Sequence, residues 1–500
     1  MTGRQRAVTL GLGSLLLCAS PPAAQPALTS EPPHEVAAPG DKDAYDKYSW
    51  EMFVALNRPA VPRGETKIGD DSRAPRVWET FQDPIEVFQK GEPAREYPQV
   101  FRRPAGRKVI YLSAARKTLL MERELEGLNL QAGSSWPLID QLGNYAIYEI
   151  RLNPKMVGYI KDNKLTTPQG LVDHGDLDFP DGSIVVKAAW RIFPRSWMTE
   201  NRKVLDRYYW TTADITVSEA QDPLHRKDGF TIEQAPIGLV GLHIIQKTAG
   251  QPQWIWSTFE QVDNYEMVDG NPALTPTYNN GKATVDDAVN NRQPLLSSGS
   301  PPPLDPSDGK VHYLWNRPTD MKTAEYTPLA SYTRPQIQRS SNEIPLPAAI
   351  NQTWQAKLPA PWKHYRLMVT QWTEGGKPGG RAMPRNRDGV SVARNTALES
   401  FLLGDQTLAA QVPAVRVRDP GDPTKPPQSS LDDMILATIK ATKYPPTDET
   451  GPLTWSSCML CHEVAQYDLK DKCGKDGKVT NVVMTDMSML FRSYLPDCKE

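Results

Sequence analysis

The chain has 500 residues, enough for two or three domains at about 150 residues each. Its net charge of −2 and apolar content of 39% describe a soluble globular chain and offer no basic footprint for nucleic acid. Proline stands at 46 residues, about twice the ordinary share, which argues against a helix bundle and for short strands, turns and long ordered loops.

At the N-terminus, Arg4 and Arg6 precede the apolar run AVTLGLGSLLLCAS, and small residues and prolines follow it. A charged stretch, a short apolar core and a cleavable small-residue region make a secretory signal, predicted over residues 1–24 with cleavage near Ala24. The run is too short to span a bilayer, so no membrane-crossing segment is expected after cleavage. The expected location is the periplasm or the medium. Leu15, Leu16 and Leu17 precede Cys18, and a bulky leucine at the cleavage position speaks against a lipoprotein anchored through that cysteine.

Residues 40–390 read as a β-rich domain. It opens on a helix over 41–57, where Trp50, Phe53, Val54 and Asn57 follow the i, i+3, i+4, i+7 spacing and Arg58-Pro59 ends the run. Strands are predicted at 182–193, 208–217, 237–248, 254–262 and 364–372, each rich in β-branched and aromatic residues and bounded by Gly, Pro or Asp. The segment AGQPQ between the third and fourth is a loop of hairpin length. Residues 264–360 are mostly loop by composition, most of all SSGSPPPLDPSDG at 297–309.

Residues 391–500 read as a small, mainly α-helical region. Thr396 and Glu399 stand at capping-box spacing in NTALESFLLG, and Leu431, Ile435 and Ile439 share a face in SLDDMILATIKATKYPP at 430–446. The expected fold class is therefore α+β.

With Cys18 removed, the four remaining cysteines, Cys458, Cys461, Cys473 and Cys498, all lie in the last 43 residues. That concentration points to a local site rather than a disulfide framework. Cys458, Cys461 and His462 form a Cys-x-x-Cys-His run, the attachment signature of c-type haem. Two thiols one helical turn apart can each form a thioether to a haem vinyl group, and the imidazole that follows points at the iron. One covalent haem c is the expected cofactor, with His462 as proximal ligand. A redox dithiol normally sits beside a βαβ pattern, which the sequence lacks. A zinc site with Cys473 would need adjacent Cys461 and His462 on one tetrahedral ion.

The sixth iron position has several candidates. Met484, Met487 and Met489 follow in VVMTDMSMLF, with Met489 and Met484 ahead, since a thioether ligand raises the potential. A histidine of the large domain or an open position are the alternatives. His243, His225 and His364 read as hydrogen-bonded strand or loop residues. Cys473 and Cys498 are expected to pair in an oxidising compartment. On the strand PQWIWSTFEQVDN, Trp254, Trp256, Thr258 and Glu260 share one face. That face reads either as a cleft with Glu260 as its polar group or as core packing. No Ser–His–Asp order, P-loop or His-Glu-x-x-His is present.

The segment SSCMLCHEVAQ resembles the haem segment of bacterial mono-haem c-type cytochromes. With WEMFVALNRP, GLHIIQKTAGQPQWIWSTFEQVDN and ARNTALESF, the chain over about 45–495 is similar to exported bacterial cytochrome c-domain proteins of unassigned substrate. The resemblance implies a cytochrome c-like C-terminal domain and electron transfer to an unidentified redox partner protein. The alternative is an oxidoreductase whose N-terminal domain oxidises an unknown substrate and passes electrons to the haem.

Overall fold

A computed structural model of the chain describes residues 31–39, 41–60, 66–70, 74–88, 109–111, 140, 146–217, 230–264, 276–278, 318–320, 325–326, 346–372, 395–398, 416–417, 428–429, 462, 466–468, 482–488, 490–491 and 495. The expected first helix, α1, spans Lys42–Leu56. Asp41 caps it by accepting from the Asp43 amide, and Asn57 closes it by donating from both backbone and side chain to the Phe53 carbonyl.

The five expected strands, with two unexpected ones at Val109–Tyr111 and Ile147–Leu152, gather into one seven-stranded sheet. Its members are β1 (Val109–Tyr111), β2 (Ile147–Leu152), β3 (Ile184–Ile192), β4 (Trp210–Val217), β5 (Phe230–Thr248), β6 (Gln251–Gln261) and, after two short strands described below, β9 (Tyr365–Gln371). The spine is β5. One edge of it pairs with β3, which pairs with β2; the other edge pairs with β4 along its first half and with β6 along its second. The outer strands are β2 beside β3, β9 antiparallel to β6, and β1 parallel to β4. With the helices this is an α+β fold.

The β5–β6 hairpin turns on Ala249-Gly250 alone, tighter than the five-residue loop AGQPQ suggests. Strand pairing resumes at Thr248↔Gln251 and is irregular until Gln246↔Ile255. Pro252 falls inside that irregularity, so its missing N–H costs no ladder bond. Trp254 sits there in the left-handed region at φ 69°.

Alternation along the strands separates two faces. On the first, Val186, Ala188, Trp190, Leu242, Ile244, Ile255, Phe259 and Leu367 pack under α1 and α6 (Ala348–Gln355). Trp50 lies at its centre, stacked on Trp354 at 5.9 Å and edge-on to Phe259 at 5.0 Å, with its indole N–H donating to Asn351 Oδ1. The helix α6 lies inside the stretch expected to be mostly loop. Its eight residues bury only Asn351 and Trp354, too short a period to stand out among prolines.

The second face is covered by α3 (Pro154–Asp162) and α4 (Pro168–His174), whose Met156, Val157, Ile160 and Leu171 pack with Trp254 and Trp256. Asn153 and Thr167 cap these helices, each followed by Pro at the first helical position. The short helices α2 (Pro84–Phe88) and α5 (Arg202–Leu205) flank the sheet.

Three two-stranded ribbons stand outside the sheet: β7 (Pro318–Asp320) with β8 (Glu325–Tyr326), β10 (Arg416–Val417) with β11 (Gln428–Ser429), and β12 (Gln466–Asp468) with β13 (Val482–Met484). Two of them fall within the region expected to be mainly helical. At 395–398 the cap is Asn395, one residue before Thr396, with Oδ1 accepting from the Ala397 and Leu398 amides. The helix expected over 430–446 and the signal peptide lie outside the described residues. Among the described residues no helix is long and apolar enough to cross a membrane.

Candidate functional site

The C-terminal residues Val483, Leu490, Phe491 and Leu495 join the cluster formed by Trp254 and Trp256 on the second face. They are brought there by a tight turn after β13. The Ser488 amide donates to the Thr485 carbonyl at 2.9 Å, and the two central residues, Asp486 and Met487, have φ of 47° and 62°. Two left-handed central residues make a turn of the type I′ family. Asp tolerates that conformation, whereas for Met it is strained by an amount of order 1–3 kcal/mol.

The anchoring of Asp486 holds this strain. Its Oδ2 accepts from the Phe179 amide at 2.8 Å and from Lys247 Nζ at 2.7 Å, and its Oδ1 accepts from the Trp254 indole at 3.3 Å. Lys247 also pairs with Asp178. Burial raises the Asp486 carboxyl above its ordinary value, against the pull of Lys247. Burial alone would lower Lys247, but Asp486 and Asp178 hold it above its ordinary value. Along the same seam the Leu177 amide donates to the Met484 carbonyl, and the Met484 amide donates to Asp176 Oδ1, both at 2.9 Å.

The product of this clamp is a fixed carbonyl at Met487. His462 Nδ1 meets it at 2.8 Å. A carbonyl only accepts, so Nδ1 is the donor in this bond. A ring nitrogen donating to a backbone carbonyl is the second-shell arrangement of metal-ligating histidines. The half-buried imidazole packs on the indole of Trp256, ring centres 4.6 Å apart and tilted by 51°. That indole is itself fixed by donating to the Gln253 carbonyl.

Of the residues expected from sequence, His462 and Met484 are described and lie on the same seam. Cys458, Cys461 and Met489 lie outside the described residues, as do Cys473, Cys498 and His225. The shared face of Trp254, Trp256, Thr258 and Glu260 is observed, with both indoles buried in packing. Glu260 is not a cleft residue. It is fully buried, 2.8 Å from Arg366 Nη2, and its Oε2 accepts from the Thr396 amide. His243 is a buried strand residue opposite Lys187 and Thr258. The clamp residues Lys247 and Asp486 were not anticipated. A lone lysine ending the apolar strand IIQKT and an Asp in a turn-like TDMS were the signals available.

At its far end the second face holds other satisfied charges. Arg191 pairs with Asp140 at 2.8 Å and also donates to Thr277, and Arg207 pairs with Asp263 through two bonds. Among the described residues no group of three or more His, Cys, Asp or Glu is placed to hold an ion. No family model, curated protein or solved structure matches this chain.

Proposed function

We propose that the protein is an exported c-type cytochrome that carries one covalent haem and transfers electrons to a redox partner protein. The observation that carries this reading is the hydrogen bond from His462 to the Met487 carbonyl, in the imidazole that directly follows the Cys458-x-x-Cys461 pair. In this reading Cys458 and Cys461 tether the porphyrin, and His462 Nε2 holds the iron. When bound, haem supplies a one-electron iron couple whose potential depends on axial ligand, hydrogen bonding and burial. The donor set fits that group: an imidazole whose Nδ1 is backed by a carbonyl and whose ring packs against an apolar wall.

The Met487 carbonyl orients the ring and raises its basicity, and Trp256 excludes water from one side of it. The signal-like N-terminus supports assembly outside the cytoplasm, in the periplasm or beyond. The test is a haem stain on a denaturing gel after expression with a c-type maturation system. A band that stains, and that loses the stain when Cys458 and Cys461 are both replaced by Ser, supports the reading; a colourless wild-type band ends it.

A further inference from the structure

One buried amide across the strand from Trp256 has no partner. Gln371 is fully buried, and neither its Oε1 nor its Nε2 makes a hydrogen bond. Native proteins bury such groups where a water, ion or ligand meets them. Its place is fixed by its neighbours. Thr370 turns to the first face, where it bonds Ser49 and Asp46, and Trp372 turns there too, stacked on Tyr45 at 4.1 Å. Gln371 between them faces the second side. Its direct cross-strand partner is Trp256, and such partners keep their Cβ atoms about 5 Å apart. The indole of that same Trp256 carries the imidazole of His462. Gln371 and His462 therefore meet one side chain.

Three other polar groups on this face are engaged. Lys247 holds Asp486 and Asp178, Thr258 takes a bond from Asn395, and Glu260 is paired with Arg366.

We infer that the Gln371 amide hydrogen-bonds a propionate of the haem, an inference that rests on the haem reading above. The propionates are the strong hydrogen-bond acceptors on the rim of that ring, and a carboxylate leaving water needs donors. Nε2 carries two N–H groups. An amide can also form a two-bond pair with a carboxylic acid, which would occupy Oε1 as well. The polar group of this site is thus a neutral amide rather than the carboxylate of Glu260.

The test uses haem-loaded, exported protein, wild type beside Gln371→Met and Gln371→Glu, read by reduction potential and by the propionate bending band in resonance Raman spectra. Gln371→Met keeps the volume and should keep the haem stain. Its potential should fall, because a propionate charge without its donor favours ferric iron, and the propionate band should shift. Gln371→Glu should lower the potential further. If Gln371→Met does not accumulate, Gln371→Asn, which retracts the amide by one carbon, should show the same shifts. Stained Gln371→Met or Gln371→Asn protein with the wild-type potential and propionate band would overturn the inference while leaving the haem reading intact. That is the result if ordered water meets the amide. A colourless wild type overturns both.

Discussion

The two faces of the sheet are built from the same strands but do different work. The first face is an aromatic core: Trp50, Phe53, Phe259, Trp354, Trp362 and Tyr365 interlock under α1 and α6, and the polar atoms of Trp50, Asn351 and Asn57 are bonded in pairs. The second face carries a buried lysine, a strained turn, a histidine bonded through Nδ1 to a backbone carbonyl and an unbonded glutamine. Packing accounts for most of the first, where the Trp372 indole nitrogen is a buried group left unbonded. The second keeps costs that packing does not offset, and such costs gather where chemistry is done.

The comparison predicts separable effects. Trp50→Ala should be the most damaging to the fold, at about 3–5 kcal/mol for a fully buried tryptophan, read by chemical denaturation. On the proposed haem reading, the protein that survives should keep the wild-type reduction potential.

Alkali should strike both faces alike. Burial pushes Tyr208, on the second face, up to about 12, and it raises Tyr48, Tyr209 and Tyr365 on the first face and Tyr278 on the second well above their ordinary value. Each phenol is neutral in the native state and ionises first in the unfolded chain near pH 10. The stability it contributes is whole below pH 10 and lost as pH rises through its native value. For Tyr208 alone the loss is about 2 kcal/mol by pH 12. The part of the tyrosinate absorbance that comes from these five should rise together with loss of circular dichroism, rather than before it.

How far the sequence reveals each face follows from the range of the interactions. The period-2 runs at 184–192 and 365–371 and the helical spacing around Trp50 are local, and they place most of the first face. Cys458, Cys461 and His462 are also local, fixed by adjacency. The clamp is not. Lys247 and Asp486 are 239 residues apart, and nothing near either one names the other. Pro252 hides the start of β6, and Pro347 and its neighbours hide α6, because proline signals a break that the fold absorbs at an irregular pairing or a helix start.

Lys247→Met tests the second face directly. It leaves Asp486 buried with two of its three donors, so the expected loss is about 2 kcal/mol in thermal unfolding. Unlike Trp50→Ala, it should also shift the reduction potential, because the Met487 carbonyl loses its anchor. A smaller effect is expected at Asn153, which caps α3 through the Met156 amide and also bonds Ile184 and Gly182. Asn153→Ala should cost about 1 kcal/mol or slightly more, with the potential unchanged.

The central claim is a bond between chain and cofactor, and the intact mass of the mature exported protein tests it most directly. The account predicts a polypeptide heavier by one haem, with the added mass confined to the peptide containing Cys458 and Cys461. A mature chain whose mass equals that of its amino acids alone would contradict it.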